Sequence, residues 1–402
     1  MESEKETLSP LSVFEGLATL LKTYNLTIQT MCKSTYFSNE TVCANHSDGY
    51  GLQDYSEAMA MERFLRIVVP FLFGIIIIVG LIGNAFVVIV VTCNPQMRST
   101  TNLLIFNLAI ADLLFIVFCV PFTAWDYSLP YWPFGDIWCK IVQYLVIVCA
   151  YASIYTLVLM SLDRFLAVVY PITSISIRTE RNAYFAISLM WIVIFICCIP
   201  ALQAHGELYY EFAYTQYSVC VFLATHGYNF AAFQICFFLS SYIIPLILIF
   251  CLYLSMLRRL WFGVTPSGRM SAESVKSKKR VTKMVVAVVV MFACCWCPIQ
   301  IMMVLKGLKA YGLSRTSILI QITSHVLAYM NSCLNPILYA FLSDNFRKAF
   351  WKVIYRNSRP NFQAQRITKE KNDRDGTCVT KTTKVANNIL EMNVTVGAKH
   401  LI

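Results

Sequence analysis

The chain has 402 residues, 57% of them hydrophobic and only 14% charged, with a formal net charge of +11. A soluble protein of this size carries about 25% charge, because water must wet its surface. That composition excludes an ordinary soluble globule and points to lipid as the solvent, provided the apolar residues gather into runs long enough to cross it.

They do. In chain order, apolar runs fall at 67–91, 102–125, 138–169, 183–202, 229–257, 281–305 and 317–342, and about 20 residues span a bilayer as a helix. The third and fifth exceed that need, so tilt or extension into water is expected. The expected fold is all-α: a seven-transmembrane helix bundle over 67–342, preceded by a tail over 1–66. After it, 343–356 reads as a short amphipathic eighth helix on the membrane surface, with Phe346, Phe350 and Trp351 set against Arg347, Lys348 and Lys352. The remainder, 357–402, is polar and expected to be disordered.

Charge orients the bundle. The connection 258–280 holds Arg258, Arg259, Arg269, Lys276, Lys278, Lys279 and Arg280 against the single acid Glu273, with Arg98, Arg178 and Arg181 in the other loops of that side. Across the bundle, 126–136 and 203–227 contain no Lys or Arg; Arg63, Arg66, Lys306, Lys309 and Arg315 are the minority against. Short cytoplasmic loops carry the basic excess, so the N-terminus is expected outside, in a multi-pass protein of the plasma membrane. The positive charge is then a cytoplasmic-face property, and nucleic-acid binding is not needed to account for it.

The opening residues MESEKETLSP are polar, with no apolar core and cleavage site after them, so the first span is expected to act as the signal anchor. Three acceptor triplets lie in the expected outer tail, at Asn25, Asn39 and Asn45, and are expected to be glycosylated. Most of the 16 cysteines fall within spans, where they act as small apolar residues. On the oxidising side stand Cys32, Cys43, Cys139 and Cys220. A Cys139–Cys220 bridge would pin the long second outer loop to the start of the third span. Cys32 and Cys43 could close a small loop in the tail, though nothing local requires it.

Three features are out of place in a membrane. Asp112 lies mid-span with no basic residue in its helix, and a carboxylate there costs about 2.5–3.5 kcal/mol. Asn84, Ser153, Asn331, Ser332 and Asn335 are the polar residues available to it. Such a set is either a hard-oxygen site for Na⁺ or a buried acid hydrogen-bonded between helices. Asp163-Arg164-Phe165 follows Cys139 by 25 residues at Arg164, about 37 Å of helix, and so reaches the opposite face. The pair is either a switch that trades partners or an ordinary interfacial arginine. Prolines 121, 200, 245, 298 and 336 interrupt spans. Trp296, two residues before Pro298, and Tyr339, after Asn335-Pro336, set bulky groups beside their hinges.

Taken in order, these motifs resemble the rhodopsin-like family of G-protein-coupled receptors over about residues 64–355. They are Asn84 in GNAFVV, Asp112 in LAIAD, Cys139, Asp163-Arg164-Phe165, Trp191, Pro245 with Tyr253, Trp296 with Pro298, and Asn335-Pro336-x-x-Tyr339. The resemblance implies that a ligand at the outer end rearranges Phe292 and Trp296, collapses the cation site at Asp112 and swings the sixth helix outward. Arg164 would leave Asp163 for Tyr253 and Tyr339, opening a pocket for a G protein, which Ile172 would also contact. Many members place an acid low on the sixth helix; Lys278 stands here instead, so that lock is absent. Threonines and serines of the tail, Ser358 and Thr377 among them, imply a receptor kinase and arrestin as further partners.

The place of the opsin lysine holds Tyr329 and that of the amine-binding aspartate holds Val146, which exclude light and monoamines. The outer half instead offers Trp125, Asp126, Gln143, Gln300, Met303, Gln321 and His325, with Glu207 in the loop above, as candidates to hold a peptide; each can equally be a packing residue. The stretches YWPFGDIWCKIVQYLVIVCAYASIYTLVLMSLDRFLAVVYPI and YAFLSDNFRKAFWKV resemble arthropod allatostatin-A receptors, relatives of galanin receptors. That implies a peptide ending in Phe-Gly-Leu-amide and Gi/o signalling, with galanin-, somatostatin-, opioid- or kisspeptin-like peptides as alternatives. A transporter is disfavoured by the absence of internal repeats. An enzyme is disfavoured because no nucleophile–base pair or metal-ligand cluster falls in the spans, and beyond Na⁺ no cofactor is implied.

Overall fold

The computed structural model describes residues 49–94, 97, 99–129, 131–212, 215–223, 227–262, 272–312, 314–342, 346–349 and 351. The acceptor sites Asn25, Asn39 and Asn45, the Cys32 and Cys43 pair, and the polar tail lie outside them, as does the side chain of Lys278.

Among the described residues the main elements follow in order. They are α1 (Gly49–Cys93), α2 (Thr100–Phe118), α3 (Val120–Ser128), α4 (Gly135–Val169), α5 (Pro171–Ile177), α6 (Glu180–Cys197) and α7 (Ile199–Ala204). Strands β1 (His205–Phe212) and β2 (Thr215–Phe222) come next, then α8 (Phe230–Phe238), a π-turn (Leu239–Ile243), α9 (Ile244–Phe262), α10 (Ala272–Gly307) and α11 (Arg315–Leu342).

Among the described residues, six stretches are apolar and long enough to cross a bilayer: Arg63–Cys93, Thr100–Ser128, Gly135–Val169, Glu180–Ala204, Phe230–Arg259 and Thr282–Gly307. Each lies within a few residues of a run read from the sequence. The seventh, α11, has 28 residues, about 42 Å of helix, so it is long enough. Its hydropathy is lowered by Gln321, Ser324, Asn331, Ser332 and Asn335, all buried inside the bundle rather than turned to lipid.

The helices close a ring around α4, which packs against α2, α6, α9 and α10, while α11 closes the ring between α10 and α1. One cross-tie shows how polar side chains fix this packing. Trp191 Nε1 donates to Asn107 Oδ1 (2.8 Å) and Asn107 Nδ2 to Thr156 Oγ1 (2.7 Å), joining α6, α2 and α4. With no hydrophobic drive between helices in lipid, such interhelical bonds hold the register.

The prolines act differently from one another. Two residues before Pro121, Cys119 leaves helical geometry (φ −121°, ψ −50°), which splits the second span into α2 and α3. Before Pro200 the fourth span also divides, into α6 and α7, but there Cys198 keeps a right-handed helical backbone (φ −86°, ψ −4°). Pro245 follows the π-turn, which takes up an extra residue in the ladder just before the missing N–H. Pro298 and Pro336 stay inside continuous helices, and so does Pro70 in α1, absent from the prolines picked out by sequence.

An antiparallel hairpin caps one end of the all-α bundle where the sequence reading placed a loop. His205 pairs with Phe222, Glu207 with Cys220 and Phe212 with Thr215. HGELYYEF and TQYSVCVF are rich in the aromatic and β-branched residues that suit a pleated surface. Three ties hold it down. Cys139 and Cys220 form a disulfide (Cα–Cα 5.5 Å). Asp136 Oδ1 accepts from the Glu207 amide (2.9 Å). Trp132 N donates to Ser218 O (2.7 Å), and the Ser218 hydroxyl returns a bond to Trp132 O (2.8 Å). Gly206 permits this approach, because a Cβ there would sit 2.5 Å from a Leu223 methyl and 2.8 Å from Asp136 Oδ1.

The chain divides into Met1–Arg347 and Lys348–Ile402. The bundle belongs to the first unit, where Phe346 lies against the Tyr339 ring (centroids 5.9 Å). Of the second, only 348, 349 and 351 are described, all helical. The rest of the eighth helix expected over 343–356 lies outside the described residues.

Candidate functional site

At the end of α4 remote from the disulfide, Asp163 and Arg164 are both buried and paired with each other. Arg164 Nε lies 3.0 Å from Asp163 Oδ2, and its Nη2 also meets the Thr101 hydroxyl, which donates to the same carboxylate oxygen (2.8 Å). A third partner was missed in the sequence. Arg178, which follows α5, brings Nε to 2.6 Å from Asp163 Oδ1 and Nη2 to 3.3 Å from Oδ2. In the sequence Arg178 is only a loop charge, since nothing in spacing shows that α5 folds it back. Beside this network, α5 presents Ile172 and Ile175, 79% and 78% exposed.

Tyr253 on α9 and Tyr339 on α11 have buried hydroxyls with no protein partner. Both rings pack while their polar ends are unmatched, an arrangement that costs about 1–3 kcal/mol per group without a bond. Deeper in the bundle, Phe292 stacks on Trp296 (centroids 5.6 Å, 24° between planes), which lies two residues before Pro298. The Tyr242 ring also stacks with Phe292 (6.5 Å), and its hydroxyl donates to Ala293 O (2.8 Å).

Asp112 is fully buried, with Asn335 Nδ2 donating to its Oδ2 at 2.9 Å. Asn84 Nδ2 bonds the main-chain oxygens of Gly80 and Ser332 (2.9 Å each), tying α1 to α11. Four buried oxygens are left without a protein partner: Asp112 Oδ1, Asn84 Oδ1, Asn331 Oδ1 and Asn335 Oδ1. Among the described residues no lysine or arginine pairs with Asp112. One carboxylate with amide oxygens and no base is the donor set of a small hard cation, so these residues fit Na⁺. Ser332 faces the carboxylate, whereas Ser153 is buried on α4 with no hydrogen bond to it.

The disulfide end holds a cavity of about 90 Å³. It is lined by five of the eight residues expected to hold a ligand: Asp126, Gln143, Met303, Gln321 and His325. Val146 and Tyr329, which occupy the amine- and retinal-binding places, line it too. The other three stand elsewhere. Trp125 turns to the rim, donating from Nε1 to Tyr131 O (3.1 Å) against the Phe134 ring. Glu207 is in β1, its amide spent on Asp136. Gln300 is buried below, donating to the Ser241 hydroxyl at 3.1 Å.

Lys306 lines the cavity and was read from sequence only as a topology charge. It is 5% exposed, with Nζ 2.8 Å from Gln321 Oε1 and 5.7 Å from the Tyr311 ring centroid. A signal was available, since Lys306 continues the i, i+3 spacing of Gln300 and Met303 along α10. Further along the same wall, His325 Nδ1 meets both the Tyr127 hydroxyl and Gln321 O, each at 2.9 Å. Among the described residues no His, Cys, Asp or Glu cluster could hold a metal ion.

The chain is 60% identical to an allatostatin-A receptor of Bombyx mori over 302 residues, which cover 75% of this chain and 83% of that one. It is 38% identical to the galanin-like G-protein coupled receptor npr-9 of Caenorhabditis elegans, over 75% of this chain and 76% of the other. Galanin receptor 2a of Danio rerio is 41% identical, over 71% and 78%. The profile described as 7 transmembrane receptor (rhodopsin family) matches residues 83–339, the stretch that carries Asn84, Asp112, the Asp163–Arg164 pair, Trp296 and Tyr339. The chain therefore belongs to the rhodopsin family of seven-transmembrane receptors, a family of multi-pass membrane receptors and not of enzymes.

Proposed function

We propose that this chain is a neuropeptide receptor of the cell surface, with its N-terminus outside, that activates Gi/o-type G proteins on binding a peptide ending in Phe-Gly-Leu-amide. The observation that carries the reading is the 60% identity to the Bombyx mori allatostatin-A receptor across most of both chains. The cavity supports it. A volume of about 90 Å³ is well below the several hundred Å³ of a pocket that swallows a whole ligand, and suits one end of a peptide lying across the hairpin. A galanin-type peptide is the second reading, favoured by the 41% identity to galanin receptor 2a.

In this reading the structure is a resting state. Arg164 is held by Asp163 and Thr101, and the hydroxyls that would receive it, those of Tyr253 and Tyr339, lie buried and unmatched. Ligand pressing on the cavity wall moves α10 about Pro298 through the Phe292–Trp296 stack, and α11 about Pro336 through Asn335. Asn335 bridges the two ends, since it holds Asp112 and precedes the α11 hinge. Na⁺ held by Asp112, Asn331, Asn335 and Asn84 would supply the positive charge that no nearby base provides. Loss of that arrangement on activation couples the cavity to Arg164, whose release exposes a site beside Ile172 for the G protein.

The test is G-protein activation in transfected cells across a panel of amidated neuropeptides. A potent response to Phe-Gly-Leu-amides, blocked by pertussis toxin, supports both parts of the reading. Silence to those peptides at normal surface expression, with a response to galanin, would replace the first reading by the second.

A further inference from the structure

The π-turn Leu239–Ile243 directs three consecutive residues to two different helices. Its register is marked by the Ile244 amide, which donates to Leu239 O, five residues back, immediately before Pro245 removes an N–H from the ladder. Such turns are rare and recur at functional positions. Ser240 is tied to α4, where the Tyr151 hydroxyl lies 2.6 Å from Ser240 Oγ and the Tyr155 hydroxyl donates to Ser240 O (3.1 Å). The next two residues are tied to α10. Gln300 Nε2 donates to Ser241 Oγ (3.1 Å), and the Tyr242 hydroxyl donates to Ala293 O (2.8 Å).

The two partners on α10 lie on opposite sides of its hinge. Ala293 precedes Pro298 and Gln300 follows it. Neighbouring residues of one turn therefore hold the two halves of α10 across the proline, while Ser240 holds the turn itself to α4. A swing of one half about Pro298 moves Ala293 relative to Gln300, whereas Ser241 and Tyr242 stay fixed to each other by the turn. A hydrogen bond tolerates only a few tenths of an ångström of stretch. Both bonds cannot survive the swing.

We propose that the π-turn is a clamp across the α10 hinge. Its arms are the Tyr242 hydroxyl on Ala293 O and the Ser241 hydroxyl under the Gln300 amide, and activation requires an arm to let go. The proposal rests on the reading that α10 moves about Pro298, and adds what holds it at rest. Tyr242 and Gln300 are positioning residues, acting on the Phe292–Trp296 stack that lies between their contacts. The clamp is also joined to the outer end. The helix leading into the turn, α8, sets Phe230 and Phe233 against Phe222 of the hairpin (5.0 and 5.3 Å), and Phe233 against His205 (5.9 Å). A ligand that shifts the hairpin thus strains the turn through the fifth span.

The experiment measures ligand-independent Gi/o activation per receptor, at matched surface levels, for wild type, Tyr242→Phe and Ser241→Ala. The first variant keeps the ring stacked on Phe292 and deletes only the hydroxyl; the second removes only the acceptor of the Gln300 amide. Each should raise the basal signal by about fivefold, the effect of one interhelical hydrogen bond on a two-state ratio. Each should also lower the Phe-Gly-Leu-amide concentration for half-maximal response, because less of the peptide's binding is spent on release. A merely structural role lowers expression or signal and does not raise activity without ligand. A basal signal unchanged or lowered in either variant, with the wild-type peptide response intact, overturns the clamp and leaves the peptide reading standing. A wild type silent to the peptide, with basal signal raised by both variants, overturns the peptide reading and keeps the clamp. Silence to the peptide with no basal rise in either variant overturns both.

Discussion

Arg178 Nε lies 2.6 Å from Asp163 Oδ1, so one buried carboxylate holds two guanidinium groups, that of Arg164 and that of Arg178. The second changes what release of the first costs. When Arg164 departs, Asp163 would be left as an unpaired buried charge, a situation that costs several kcal/mol. Arg178 and Thr101 remain to satisfy it. In the proposed switch, the neighbouring arginine would lower the barrier to releasing Arg164 rather than strengthen the lock.

Substitution of Arg178 follows from this. Arg178→Ala should leave folding near normal but raise the agonist concentration for half-maximal response by roughly tenfold, about 1.4 kcal/mol. Asp163→Asn should act in the opposite direction and raise basal activity, because it weakens the hold on Arg164. Concentration–response curves at matched expression read both. A left-shifted Arg178→Ala receptor would make Arg178 part of the lock instead.

The Asp112 site makes an ionic prediction. If a Na⁺ there stabilises the resting arrangement, NaCl should weaken agonist binding by about fivefold relative to N-methylglucamine chloride at equal ionic strength. Asp112→Asn should abolish that difference. Equal sodium sensitivity in wild type and variant would remove the site from the account.

His205 gives a pH dependence at the hairpin. Its ring is buried against the Phe222 and Phe233 rings (5.4 and 5.9 Å), with Nδ1 2.9 Å from Ala201 O. Burial pulls its pKa from 6.5 down to about 4. The neutral ring is favoured in the fold, so its stabilising contribution is complete above pH 6.5 and is lost as pH falls from there toward 4. The Tm in detergent should drop between pH 7.5 and 5, and His205→Phe should flatten that slope. An unchanged slope in the variant would assign the acid sensitivity to other groups.

The disulfide spans 81 residues of sequence, and closing so long a loop is worth about 2–4 kcal/mol in typical cases. Cys220→Ser should therefore lower Tm by several degrees and reduce peptide affinity, since the hairpin would lose its covalent tie to α4. Thermal melts with and without reductant check this: reductant should reproduce the variant in wild type and leave the variant unmoved.

The spans were legible because length and hydropathy are properties of the chain itself, and the family because the order and spacing of its motifs are. What could not be read was azimuth and loop folding. Trp125 and Asp126 are adjacent, hence about 100° apart around a helix, and only the fold shows that Asp126 lines the cavity while Trp125 turns to Tyr131 and Phe134. Gln300 was assigned to the ligand but lies below it, bonded to Ser241, while Lys306 on the same helix was left to topology. Arg178 needed the fold of α5 to bring it back onto α4. The hairpin was hidden because its tyrosines suggested a ligand-facing loop before they suggested a strand.

The most direct test of the account is nucleotide exchange by a purified Gi protein with receptor in nanodiscs, measured for wild type and Arg164→Ala with and without the Phe-Gly-Leu-amide peptide. The account predicts peptide-dependent exchange in wild type, and none in Arg164→Ala despite retained peptide binding. Peptide-dependent exchange undiminished in Arg164→Ala, or bound peptide without exchange in wild type, would contradict it.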